Sequence, residues 1–86
     1  MMERGEFKML ARGSKNLEVK KLQHNLKDLG FNPGSENGFY DTRTEEAVMF
    51  FQKHHNLKIS GIVDEDTEKM ILDLMKEYEQ NNLLHQ

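Results

Sequence analysis

The sequence contains no cysteine and only one proline in 86 residues. Without cysteine, neither a disulfide nor a zinc site with thiolate ligands can stabilise the chain. Stability has to come from a compact core, and a hydrophobic fraction of 36% makes that core small. The length and composition therefore predict one small domain.

Long apolar runs and an excess of positive charge are also missing. No run approaches the roughly 20 apolar residues that span a bilayer, and residues 1–6 lack the apolar segment of a signal peptide. We expect no membrane insertion, and a chain that is cytoplasmic as synthesised or a fragment of a longer protein. The formal net charge of −3 argues against a nucleic-acid partner, since domains that track phosphates are normally basic.

A motif that combines a turn with a helix start occurs twice. Segments 38–45 and 61–68 share Gly, Asp, Thr and Glu at four of eight positions. Glycine supplies the positive φ that a tight reversal needs. Aspartate is a favoured N-cap, and threonine three residues later falls in the first helical turn. The spacing predicts two helix entries of the same construction, and backbone requirements explain it without a ligand.

Hydrophobic periodicity predicts an all-α fold, a small three-helix bundle with helices near residues 16–29, 42–55 and 65–78. In the first helix the apolar residues Val19, Leu22, Leu26 and Leu29 share one face. Gly30 then ends that helix as a left-handed cap. Asp41 and Asp64 are the predicted N-caps of the second and third helices, and Asn56 the left-handed cap after the second.

The rest of the chain divides around these helices. We expect a flexible leader at residues 1–9, the folded domain at 10–78 and a polar C-terminal tail at 79–86. The extended apolar pairs 39–40 and 62–63 allow a minimal strand pair in addition to the helices.

Three blocks of sequence lie in succession between residues 10 and 75. They read Leu10-x-x-Gly13-Ser14-x-x-x-Glu18-Val19-x-x-Leu22-Gln23-x-x-Leu26-x-x-Leu29-Gly30-Phe31, then Asn37-Gly38-Phe39-Tyr40-Asp41-x-x-Thr44-x-x-Ala47-Val48-x-x-Phe51-Gln52, and then Leu57-x-x-x-Gly61-Ile62-Val63-Asp64-x-x-Thr67. In order and spacing the blocks resemble the peptidoglycan-binding domain family, the PGBD-like wall-binding module of bacterial and phage cell-wall hydrolases. The family usually has Asp where Asn37 stands, and often Gly where Asp41 and Asp64 stand.

The resemblance implies a non-catalytic binding module for bacterial cell-wall peptidoglycan, either its glycan strand or its stem peptide. Such a module would target a fused or associated wall hydrolase or endolysin, or act as a small stand-alone wall-binding protein. We expect no enzymatic activity, no cofactor and no metal. The alternative is an intracellular protein-interaction domain that reuses the same helical fold, which the absent export signal, the acidic balance and Asn37 favour.

The candidate ligand surface is a groove beside the first turn. Its residues are Asn37, Gly38, Phe39, Tyr40, Arg43 and Gln52. Side-chain amides and a tyrosine can form hydrogen bonds with the hydroxyls and amides of a sugar-peptide polymer. An arginine can bind the polymer's carboxylates through two parallel hydrogen bonds. An aromatic ring can lie against the apolar face of a sugar. Structural roles remain open for the same residues: Phe39 in the core, Arg43 as a solvated charge, and Gln52, like Gln23, bonded to loop backbone.

Two other groups of residues have ordinary explanations. The adjacent pair His54-His55 diverges by roughly 100° on a helix and is poorly placed to share one metal ion. At a helix C-terminus we expect imidazolium, which suits the helix dipole. The acid pairs Glu45-Glu46 and Asp64-Asp66 fall in first helical turns, so capping accounts for them better than glycosidase chemistry does.

Overall fold

The structure is a computed structural model that describes residues 7–84, of which residues 82–84 are described by their backbone only. Over this part of the chain it contains three α-helices: α1 (Leu17–Asp28), α2 (Thr42–His54) and α3 (Glu65–Leu84). The predicted three-helix architecture is confirmed, but α3 continues to Leu84 where an end near residue 78 was expected. The remainder of the predicted leader and tail, residues 1–6 and 85–86, lies outside the described residues.

Each helix is preceded by an N-cap residue, whose side chain accepts a hydrogen bond from the backbone amide three residues later. The acceptor is Asn16 in α1, Asp41 in α2 and Asp64 in α3, at distances of 3.0, 2.9 and 2.9 Å. These bonds satisfy amides that the first helical turn leaves without a partner. The backbone amide of Thr67 is the main reason why the pKa of Asp64 lies below its ordinary value. The predicted capping roles of Asp41 and Asp64 are confirmed.

Helices α1 and α2 also end in the same way. Gly30 and Asn56 have φ of +99° and +60°, which places both in the left-handed region. The next residues, Phe31 and Leu57, donate backbone hydrogen bonds of 2.8 Å to carbonyls five residues back. This geometry satisfies the last carbonyls of each helix and turns an apolar side chain onto the core.

The core lies between the three helices. Its buried members are Val19, Leu22, Leu26, Tyr40, Ala47, Val48, Phe51, Val63, Ile71 and Met75. The expectation that Phe39 belongs to it is wrong, because 42% of the Phe39 side chain is exposed whereas Tyr40 is fully buried. Neighbouring residues of an extended segment point to opposite sides, so only one of these two rings can face inward.

The predicted pairing of residues 39–40 with 62–63 does not form. Each extended pair instead makes an isolated antiparallel bridge with the N-terminal segment, Lys15 with Phe39 and Leu10 with Val63. Segment 10–16 therefore lies beside both helix entries and holds them by backbone hydrogen bonds. No helix within the described residues is both long and apolar enough to cross a membrane.

Candidate functional site

The first entry loop (residues 29–41) is held by a glutamine side chain from α1. The Gln23 carbonyl oxygen accepts from the amide of Gly38 at 2.9 Å, and its amide nitrogen donates to the carbonyl of Phe39 and the hydroxyl of Thr44, both at 2.9 Å. The side chain is fully buried, so these bonds replace those that water would make. We call this arrangement the first glutamine clasp.

The second entry loop (residues 55–64) is held in the same way from α2. Gln52 accepts from the amides of Ser60 and Gly61 at 3.0 and 2.9 Å. It donates to the carbonyl of Ile62 at 2.9 Å and to the hydroxyl of Thr67 at 3.1 Å. This second glutamine clasp matches the first atom for atom at the glycine, the next carbonyl and the threonine. The predicted bonding of both glutamines to loop backbone is confirmed.

Tyr40 connects the two entry loops. Its hydroxyl donates to the carbonyl of Gly61 at 2.6 Å, and its side chain has no exposed surface. Burial raises the pKa of Tyr40, and the nearby charge of Glu45 raises it further, so the phenol stays a neutral donor. The ring is thus a core member that fixes one loop against the other.

The structure divides the six predicted ligand contacts into two groups. Gly38, Tyr40 and Gln52 are buried and form hydrogen bonds within or between the entry loops. A ligand on the surface cannot reach their side chains or the amide of Gly38 in this conformation. Their place in the motif reflects the construction of the helix entries.

The other three predicted residues, Asn37, Phe39 and Arg43, are exposed. The Asn37 side chain accepts from the amide of Phe39 at 3.0 Å, which is a local turn bond. Arg43 is the second residue of α2, and its Cβ is 3.5 Å from where a Cβ on Gly34 would be. Arg43 lines a groove whose walls do not include Asn37 or Phe39.

That groove, which we call the α2 groove, has a volume of about 670 Å³ and runs between α2 and the start of the first entry loop. Its lining residues are Gly30, Phe31, Asn32, Arg43, Glu46, Ala47, Phe50, Lys53 and His54. The residues from α2 recur at helical spacing and form one outer face. Phe50 is its most apolar exposed element, with 63% of the side chain exposed.

Most residues of this groove lie outside the sequence motifs, so the motifs do not indicate it. One signal was present: Phe50 is an aromatic residue on the polar side of a helix whose inward face already contains Phe51. Arg43 and Lys53 flank Phe50 at seven residues before and three residues after, which are positions of the same face.

An aromatic cluster lies beneath one end of the groove. Phe31 packs edge-on against Phe51 and His54, with ring centroids 5.4 and 5.7 Å apart. His55 lies 4.5 Å from Phe51. Burial lowers the pKa of His55, and the neighbouring His54 lowers it further. The surroundings of His55 thus favour its neutral ring, in contrast to the imidazolium expected at this helix end.

The lowered pKa of His55 predicts a loss of stability in mild acid. Its ordinary value is 6.5, so the stabilising contribution is complete above that pH and is lost as the pH falls through the folded-state pKa. We expect the urea midpoint to decrease from about pH 8 to about pH 5, and to decrease less in His55→Gln. Chemical denaturation followed by circular dichroism checks this. An equal decrease in both proteins would show that His55 is not responsible.

Comparison with known proteins is consistent with this construction. The family model described as "Putative peptidoglycan binding domain" matches residues 15–71, which include both glutamine clasps and the residues of the α2 groove. This chain belongs to the peptidoglycan-binding domain family. The resemblance deduced from the three sequence blocks is confirmed.

Relatives of this peptidoglycan-binding domain are larger proteins. It is 35% identical over 71 residues to the carboxy-terminal processing protease CtpB of Bacillus subtilis, a match that covers 79% of the chain. The chain spans only 15% of the length of CtpB.

Solved structures share its fold. The SleB N-terminal domain superposes with a TM-score of 0.76 at 28% identity, over 78% of this chain and 92% of that one. The Burkholderia AP3 phage endolysin gives a TM-score of 0.71 at 31% identity, over 76% of this chain and 25% of the endolysin. The fold and family thus associate this peptidoglycan-binding domain with proteins of the cell wall.

Proposed function

We propose that this peptidoglycan-binding domain acts at the bacterial cell wall as a non-catalytic module that holds a wall-acting enzyme on its polymer. Residues 10–78 form the binding unit in this proposal, and the α2 groove is its binding surface. The observation that carries the proposal is the membership of residues 15–71 in the family, combined with an open groove on that same segment.

The groove has the features of a binding surface. Phe50 presents a ring with 63% of its side chain exposed, which can lie against the apolar face of a sugar or an aliphatic side chain. Arg43, Lys53 and Glu46 surround it with hydrogen-bonding groups at the rim. A mainly apolar wall with a few polar groups is typical of ligand sites in proteins.

The acidic residues are engaged in ways that do not suit hydrolysis. The Asp64 carboxylate accepts the amide of Thr67, and Glu45 lies 3.5 Å from Arg12 in an ion pair. Glu46 is the one carboxylate among the lining residues of the α2 groove. Glycoside hydrolysis uses two carboxyl groups on opposite sides of the scissile bond, so the single carboxylate of this groove does not fit glycosidase chemistry.

Co-sedimentation with purified sacculi tests the proposal. We expect the domain to pellet with sacculi, and Phe50→Ala to pellet less, because the exposed ring is lost. Leu72→Ala is the matched control, since Leu72 is also exposed but lies on α3, outside the groove. We expect no release of soluble wall fragments. Failure of the unchanged protein to pellet, or measurable wall hydrolysis by it, would overturn the proposal.

A further inference from the structure

We propose that the α2 groove binds the stem peptide of the wall polymer through the peptide's carboxylates, with Arg43 as the principal contact. This inference rests on the proposed function and specifies which part of the polymer the groove contacts.

The charges of the groove favour an anionic ligand. The protein has a formal net charge of −3, and four of its lysine and arginine side chains between residues 7 and 81 form ion pairs: Arg12, Lys21, Lys27 and Lys69. The side chains of Arg43 and Lys53 form neither an ion pair nor a hydrogen bond within the same residues. Both line the α2 groove. Two uncompensated cations in one groove of an acidic protein are complementary to an anionic ligand.

The Arg43 side chain lies beside the turn at Gly34. A Cβ added to Gly34 would be 3.5 Å from Cβ and 3.7 Å from Cζ of the arginine. Gly34 has φ of +91° and donates its amide to the Asn32 side chain at 2.9 Å, so the turn beneath the arginine is itself held. A guanidinium supported along its length loses less freedom on binding a carboxylate with two parallel hydrogen bonds.

The distance between the two cations suits a short peptide. Residues 43 and 53 are ten positions apart on one helix, which separates their backbones by about 15 Å along the axis. An extended peptide of four residues spans at most about 14 Å. A short acidic peptide can therefore lie along the groove with a carboxylate near each cation.

Glu46 and Phe50 lie between the two cations and define the middle of the ligand. The Glu46 carboxylate repels a third acidic group at the middle of the ligand. It can accept a hydrogen bond from a peptide N–H or an ammonium group. Phe50 covers an aliphatic side chain. A neutral glycan offers hydroxyls and amides, which leave both cations without a charged partner.

The test is a calorimetric titration with three probes: a synthetic stem tetrapeptide with free carboxylates, the same peptide with its carboxylates converted to carboxamides, and a neutral N-acetylglucosamine oligomer. We expect the acidic peptide to bind at least about tenfold more tightly than the carboxamide, because a charged hydrogen bond is lost. Arg43→Gln should weaken acidic-peptide binding to a similar extent, and Arg43→Lys by less. The oligomer should not compete.

Lys76→Gln is the control, since it removes one exposed positive charge on α3, away from the groove. It should leave acidic-peptide binding unchanged, and binding should weaken as salt screens the charges. Equal binding of the acidic and carboxamide peptides, or preference for the oligomer, would overturn the inference. If the protein still pelleted with sacculi, the proposed function would stand. Failure to pellet with sacculi would overturn the proposed function itself.

Discussion

Gln52→Ala is expected to lower the free energy of unfolding by roughly 3–5 kcal/mol, a large part of the stability of a small domain. The substitution removes the second glutamine clasp and leaves the buried amide of Gly61 without a hydrogen-bond partner. The amide of Ser60 and the carbonyl of Ile62 each lose one of their two hydrogen bonds. The side chain has no exposed surface, so water does not replace these bonds without opening the loop. Urea denaturation followed by circular dichroism measures the change.

Two further variants make this result specific. Gln80→Ala changes an exposed glutamine on α3 and should alter the unfolding free energy by less than about 0.5 kcal/mol. Gln23→Ala removes the first clasp, which accepts from one backbone amide fewer than the second. Its loss of unfolding free energy should lie between the losses of Gln80→Ala and Gln52→Ala. A Gln52→Ala loss as small as that of Gln80→Ala would mean that the clasp contributes no stability.

Phe51→Ala is expected to cost about 3–5 kcal/mol, whereas Phe50→Ala, its neighbour, should cost less than about 0.5 kcal/mol. Phe51 has no exposed surface and packs edge-on against Phe31 at 5.4 Å, so truncation leaves a cavity between α2 and the first entry loop. Phe50 is 63% exposed and leaves none. Thermal unfolding should show a fall in Tm of more than about 10 °C for Phe51→Ala alone.

The same pair of variants separates folding from binding. Phe50→Ala should remain folded at the temperature of the sacculus assay and yet pellet less, since its ring belongs to the α2 groove. Phe51→Ala should have a lower Tm, and it should lose binding to sacculi only at temperatures at which it is unfolded. Equal falls in Tm for the two variants would contradict the orientation of α2 described above.

The sequence was sufficient for the features that depend on local chemistry. Helical spacing identified α1, and the cap residues Asp41 and Asp64 located the starts of α2 and α3. The recurrence of Gln23 and Gln52 indicated that both bond loop backbone. In each case the relevant contacts lie within one helix or between a helix and the loop next to it.

Other features depend on distant residues and were not predicted. Which of Phe39 and Tyr40 faces inward is decided by the bridge between Lys15 and Phe39 and by the hydrogen bond from Tyr40 to Gly61. Neither contact is visible in a local pattern. The candidate site shifted for a related reason, because the motif around Gly38 records how the chain enters α2 rather than what the surface binds.

The two glutamine clasps differ in the length of chain that each one encloses. Gln23 reaches a glycine 15 residues ahead, whereas Gln52 reaches one nine residues ahead. Both glutamines bond only the last few residues before the next helix. The additional residues of the first entry loop therefore lie outside the clasp and do not change the start of the helix. The part of this loop outside the clasp begins at Gly30 and Asn32, which border the α2 groove. A domain built this way can change the border of the α2 groove by insertion or deletion there, while its three helices keep the same arrangement.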